Sequence, residues 1–222
     1  MKAYRILLAL ALCALPVLRA DSLEEVLTRV DRTAKDFTSF SANWTHLDYQ
    51  KILDDSTTTK SSVRMQRTKD GLTGLIVDED GRTVYFEGHT AQDYRPKANN
   101  VDIYDLGKQA NQLQQIILLG FGTRRADLEK TYSVMLGGQE TVAGTHATRL
   151  DLTPKSKDLR NNVTLIQLWI PENEGYPIQE KILKPSKDYT LVTYSGMKMP
   201  APPNTSFTLT LPAGVHKNYP QK

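Results

Sequence analysis

The fold turns on Ser39-Phe40-Ser41-Ala42-Asn43-Trp44-Thr45. Phe40, Ala42 and Trp44 alternate with serines, Asn43 and Thr45, the two-residue period that sends successive side chains to opposite faces of a strand. The segment before it has another period. Ser22 and Glu25 form a capping box. Leu23, Val26, Leu27, Val30, Ala34 and Phe37 then fall on one helical face, with Glu24, Glu25, Arg29, Asp31 and Lys35 largely elsewhere. The sequence predicts an amphipathic helix leading straight into a strand.

Further along, Val63, Met65 and Arg67 share one face of a second strand, and Ser62, Arg64 and Gln66 the other. Residues 72–77 and 82–86 flank Asp80-Gly81, a hairpin signal because glycine accepts the positive φ of a tight turn. Residues 108–119 form a second helical patch. Leu113, Ile116, Ile117 and nearby Phe121 make its apolar face, and Gly120 and Gly122 end it. Residues 125–130 offer a further short turn of helix. Tyr132, Val134 and Leu136 alternate before an expected Gly137-Gly138 turn, and strand patterns follow at 146–153, 163–170, 178–183, 189–194 and 207–211. About eleven strands and about three α-helices result, with few helical crossovers. The chain is therefore mainly β with helices, a large antiparallel sheet that should curl or close.

The 222 residues carry 28 Lys+Arg, 25 Asp+Glu and one cysteine, for a net charge of +3. All of the excess lies in residues 1–20, which hold Lys2, Arg5, Arg19 and Cys13 and no acid. That segment reads as a secretory signal peptide: a basic start, an apolar run from Ile6 to Val17, and Ala20 at a plausible cut. A lipoprotein signal acylated at Cys13 is a second reading, opposed by the large Leu12 before it. Residues 21–222 then form one neutral, thiol-free domain. Neutrality argues against nucleic-acid binding, and the missing thiols exclude disulfide frameworks and cysteine-held metals. Their apolar share falls from 39% to roughly 35%, which suits a sheet wet on one side or a shell around a cavity.

No G-x-S-x-G elbow, phosphate-cradling glycine loop or H-E-x-x-H helix occurs, and His46, His89, His146 and His216 lack metal-ligand spacing. The acidic run Asp78-Glu79-Asp80 lacks the ligand spacing of a calcium loop. Asn43, Asn162 and Asn204 begin glycosylation-type triplets, short enough to arise by chance. Nothing here argues for an enzyme or a cofactor. Arg67 is the exception to an otherwise bland pattern, because it ends an apolar row with a charge. Its ordinary reading is a strand-end arginine with its stem packed and its head in water. Phe40, Trp44, Tyr85 and Trp169 are ordinarily core residues.

In their order and spacing these pieces resemble the LolA-type outer-membrane lipoprotein carriers, over about residues 21–217. Phe40-Ser41-Ala42-Asn43-Trp44-Thr45 resembles the family's F-x-A-x-F-T strand, and Asp80-Gly81-Arg82-Thr83-Val84-Tyr85-Phe86 its D-G-x-x-x-W-x-Y hairpin. Leu168-Trp169-Ile170-Pro171, Gly175-Tyr176-Pro177 and the closing Phe207 to Val215 continue the match. The resemblance implies an incomplete, half-open antiparallel barrel with helices over an apolar concave face. It implies a non-enzymatic periplasmic carrier or chaperone that shelters the acyl chains of lipoproteins between the inner and outer membranes. The implied partners are an acylated lipoprotein or other lipid, an inner-membrane release complex and an outer-membrane acceptor, with the carrier a monomer. Arg67 aligns with the family arginine that holds the lid closed at the cavity mouth, although Thr68 stands where the family usually has proline. The strand and lid faces offer Phe40, Trp44, Val63, Met65, Tyr85, Leu113, Ile116, Ile117, Phe121 and Trp169 as the lipid-binding cavity. Two alternatives share the fold: a binder or sensor of another envelope amphiphile, and a lipid-free structural module.

Overall fold

The computed structural model describes residues 21–69, 71–107, 110 and 117–221. It begins with α1 (Leu23–Asp36), whose start is fixed by both bonds of the Ser22–Glu25 capping box. The apolar stripe Val26, Leu27, Val30 and Ala34 is buried, and Phe37 packs where the helix ends. The chain then enters β1 (Ser39–Gln50), β2 (Asp55–Thr68), β3 (Gly71–Asp78), β4 (Thr83–Glu87), β5 (Thr90–Arg95) and β6 (Asn100–Asp105) as a continuous antiparallel meander. After α2 (Arg125–Thr131) come β7 (Tyr132–Val142), β8 (Thr145–Pro154), the one-turn α3 (Lys157–Arg160), β9 (Leu165–Pro171), β10 (Gln179–Leu183) and β11 (Tyr189–Lys198). A short β12 (His216–Asn218) ends the sheet.

Among the described residues, twelve strands form one sheet in the order β12-β6-β5-β4-β3-β2-β1-β11-β10-β9-β8-β7. Of these pairs, only β12–β6 is parallel. The end strands β7 and β12 do not pair with each other, so the barrel is incomplete, as the resemblance implied. Helix α1 and residues 117–122 lie on one face, the inner face. Against α1 pack Leu150, Leu152, Ile166, Leu168 and Ile170 from β8 and β9. Register sets the other half of that face: Phe40 faces Met65 and Ala42 faces Val63 across β1 and β2. Met65 in turn faces Gly74, which faces Phe86. A Cβ on Gly74 would lie 2.0 Å from the Phe86 ring, so only glycine lets that ring cover the strand.

Several expectations are corrected. The 79–82 connection is longer than a two-residue hairpin, although Gly81 does take a positive φ of 89°. Gly137-Gly138 is not a turn; β7 runs through it with a register shift between Leu136 and Gly138, and the reversal falls at Ala143-Gly144. Residues 207–211 are not a strand. They belong to an extended strap from β11 to β12, in which Thr205, Phe207, Leu209 and Leu211 are half-buried and their neighbours exposed. Arg64, on the outer face, donates to the Ser206 carbonyl at 3.3 Å and so ties the strap down. The leader and most of the second helical patch, with Leu113 and Ile116, lie outside the described residues.

Candidate functional site: the inner face and its clasp

Strand alternation supplies the floor of the site. Phe40, Ala42, Val63, Met65, Leu72 and Phe86 are all buried in one cluster, to which Trp44 and Ile76 add partly buried surface. Residues 117–122 supply the cover. The amides of Phe121, Gly122 and Thr123 and the Thr123 hydroxyl all donate to the Leu118 carbonyl, at 2.9, 2.9, 3.2 and 3.1 Å, curling this stretch into a tight knot. That knot drives Phe121 into the cluster, where it is fully buried. The Phe121 ring stacks on Phe40 at 4.8 Å, meets Tyr194 edge-on at 5.2 Å and lies parallel to Tyr176 at 6.5 Å. Ile117 and Leu118 pack on the same cluster. Phe121 is the stopper of the inner face.

Arg67 holds that stopper from the rim. Its Nη2 donates to the Gly122 carbonyl at 3.0 Å, and its guanidinium carbon sits 5.4 Å from the centre of the Phe37 ring. The Arg67 amide donates to the Thr38 carbonyl at 2.8 Å, which fixes the strand end beneath the clasp. Downstream, the Arg125 amide at the start of α2 donates to Asp31 on α1, and the Arg124 Nε donates to the same carboxylate oxygen. These two bonds hold the Asp31 carboxyl down at a pKa of about 2, Arg124 contributing most. Among the described residues the cover is thus tied to the sheet through Arg67 and to α1 through Arg124 and Arg125. At the other end of α1, Asp21 receives both arms of Arg29 and the hydroxyl of buried Thr148 on β8.

Of the residues offered by the sequence, Phe40, Trp44, Val63, Met65, Ile117 and Phe121 come together, with Arg67 at their edge. Tyr85 and Trp169 do not. Each is buried on the outer face, because each lies next in sequence to an inner-face residue: Tyr85 beside Phe86, Trp169 between Leu168 and Ile170. Tyr85 donates to Glu87 at 2.9 Å, and burial, aided by that bond, pushes its pKa up to about 12. Trp169 packs on Val142 and Ala147 and donates to Glu140 at 2.9 Å. Both are structural there.

Sequence reasoning missed Tyr176, Tyr194 and Glu180. Tyr194 lies on the inner face opposite Trp44, at the end of a strand pattern that the sequence does show. Glu180 sits between Gln179 and Lys181, so no apolar row marks it out as one marks Arg67. Among the described residues no group of acidic, histidine or cysteine side chains is placed to hold a metal ion.

No protein-family model matches the sequence, and no curated protein matches it. Solved structures do. The chain is similar to MucB, at 17% identity and a TM-score of 0.52, over 84% of this chain and 62% of that one. It is also similar to an uncharacterized conserved protein from Thermus thermophilus, at 11% identity and a TM-score of 0.53, over 88% and 98%. The likeness is one of fold. A LolA superfamily protein from Nitrosomonas europaea aligns more loosely, at 14% identity and a TM-score of 0.39, over 86% and 99%. The chain thus spans less than two thirds of MucB and nearly the whole of the Thermus protein.

Proposed function

We propose that this protein is a non-enzymatic envelope carrier that takes the acyl chains of lipoproteins onto its inner face and moves them from the inner to the outer membrane. The observation that carries the reading is the stoppered apolar face, with Phe121 held over Phe40, Val63 and Met65 by the Arg67–Gly122 bond. Magnitudes favour exchange. Withdrawing a buried phenylalanine into water costs about 1.5–3 kcal/mol, whereas each methylene buried in its place returns about 0.8 kcal/mol. Roughly four methylenes therefore offset the displaced ring, and an acyl chain has many more. One charge-assisted hydrogen bond from an exposed arginine, screened by water to roughly 1 kcal/mol or less, sets the latch strength without making the closed state permanent.

A second reading keeps the lipid and changes the role, making the protein a sensor or binder of another amphiphile. The fold shared with MucB favours it. Structures of MucB with MucA show that protein in a complex. Inner-membrane vesicles carrying a labelled lipoprotein separate the two readings. Incubation with the purified protein should bring the labelled lipoprotein into the soluble fraction as a one-to-one complex. Recovery of phospholipid without lipoprotein would favour the second reading.

A further inference from the structure

Glu180 is 8% exposed, and its Oε1 has no hydrogen-bond partner among the described residues. It projects from β10 onto the inner face, directly between Leu168 of β9 and Val192 of β11. Those two residues belong to different apolar clusters, one under α1 and the other under Phe121. The carboxyl therefore stands on the seam between the helix-covered half of the site and the stoppered half. Tyr194, two residues beyond Val192, is buried beside the same seam. Burial raises the Glu180 carboxyl's pKa well above the usual carboxylate range and so favours its protonated form. A protonated carboxyl is an O–H donor as well as an acceptor, and its buried Oε1 has no partner among the described residues.

Packing does not account for it. A leucine would fill the same space between Leu168 and Val192 without an unsatisfied polar group. The other buried acids described on the sheet, Asp93 and Asp102, are paired with arginines. What the seam lacks is a hydrogen-bond acceptor arriving with an apolar ligand. An acyl chain laid along the rows on either side brings one, in the carbonyl that joins it to its head.

We propose that Glu180 is the polar anchor of the inner face, donating its carboxyl O–H to the acyl carbonyl of an ester- or amide-linked chain. The inference rests on the acyl-chain reading above and adds a selectivity to it. A site of pure hydrocarbon would favour an alkane over an ester of equal length, whose carbonyl it would bury unpaired. This one should not.

The test is displacement of bound anilinonaphthalenesulfonate from the purified protein by methyl myristate and by hexadecane, chains of matched length. The wild type should hold the ester roughly tenfold more tightly than the alkane, the effect of one good hydrogen bond. Glu180→Leu should bind hexadecane at least as well as the wild type and lose the preference for the ester. Glu180→Gln, whose amide still donates, should keep most of it. N-methylmyristamide, run beside the ester, should also be preferred over hexadecane, and the tighter of the two identifies the linkage the site is built for. Equal binding of ester and alkane by the wild type, or a preference that survives in Glu180→Leu, overturns the anchor and leaves the acyl-chain reading standing. Failure of the wild type to bind any of the three overturns both.

Discussion

Arg67 and Phe121 close the inner face together, each by a different interaction. Phe121 provides the buried surface that covers the cluster, and Arg67 provides the directional bond that keeps the ring there. The arginine itself is largely exposed, so its bond to Gly122 is screened by water and costs little to break. Replacing Arg67 with leucine should therefore lower stability by no more than about 2 kcal/mol, as read by urea denaturation. Release of bound acyl chain should change several-fold in the same variant. A sharp fall in stability with unchanged lipid handling would make Arg67 a structural residue instead. The sequence exposes Arg67 because a charge ends an apolar row. It does not expose Phe121's role, since the knot that aims the ring depends on Leu118, Gly122 and Thr123 forming one hydrogen-bonded turn.

At the scale of elements, α1 works as the fixed jaw against which the cover is set. Its Asp31 receives the Arg124 side chain and the Arg125 amide, joining the N-terminus of α2 to α1. The carboxyl's pKa is about 2 in the folded protein, against an ordinary value of 3.8. Its contribution is therefore complete above the unfolded pKa and disappears as pH falls through about 2. Asp31→Asn should lower the melting temperature at pH 7, with the difference from wild type shrinking between about pH 4 and pH 2. A difference that is constant over that range would contradict the assignment. The helix is legible in the sequence because capping box and period agree. Strands β5 and β6 are not, because Asp93 and Asp102 face each other there and Arg95 bridges both carboxylates, at 2.6 and 2.7 Å. A pair stabilised by cross-strand charge has no apolar alternation to read. The strap at 207–211 misleads for the opposite reason. It has a strand's alternation, but it packs across the sheet and does not pair within it.

Across the whole molecule, one open sheet of twelve described strands divides its inner face into two halves that close differently. Helix α1 covers one with its apolar stripe, and the Phe121 knot covers the other with a ring and, among the described residues, the Arg67 clasp. The lean apolar content of the chain agrees with a sheet whose outer face is wet and partly strapped. Glu180 stands on the seam between the two halves. The most direct measurement is native mass spectrometry of the protein purified from a bacterial envelope without detergent. A carrier should show added mass from long acyl chains, lost when an excess of fatty acid-binding resin is applied. A protein that runs as bare polypeptide, and that gains no mass when offered acylated lipopeptide, would contradict this function.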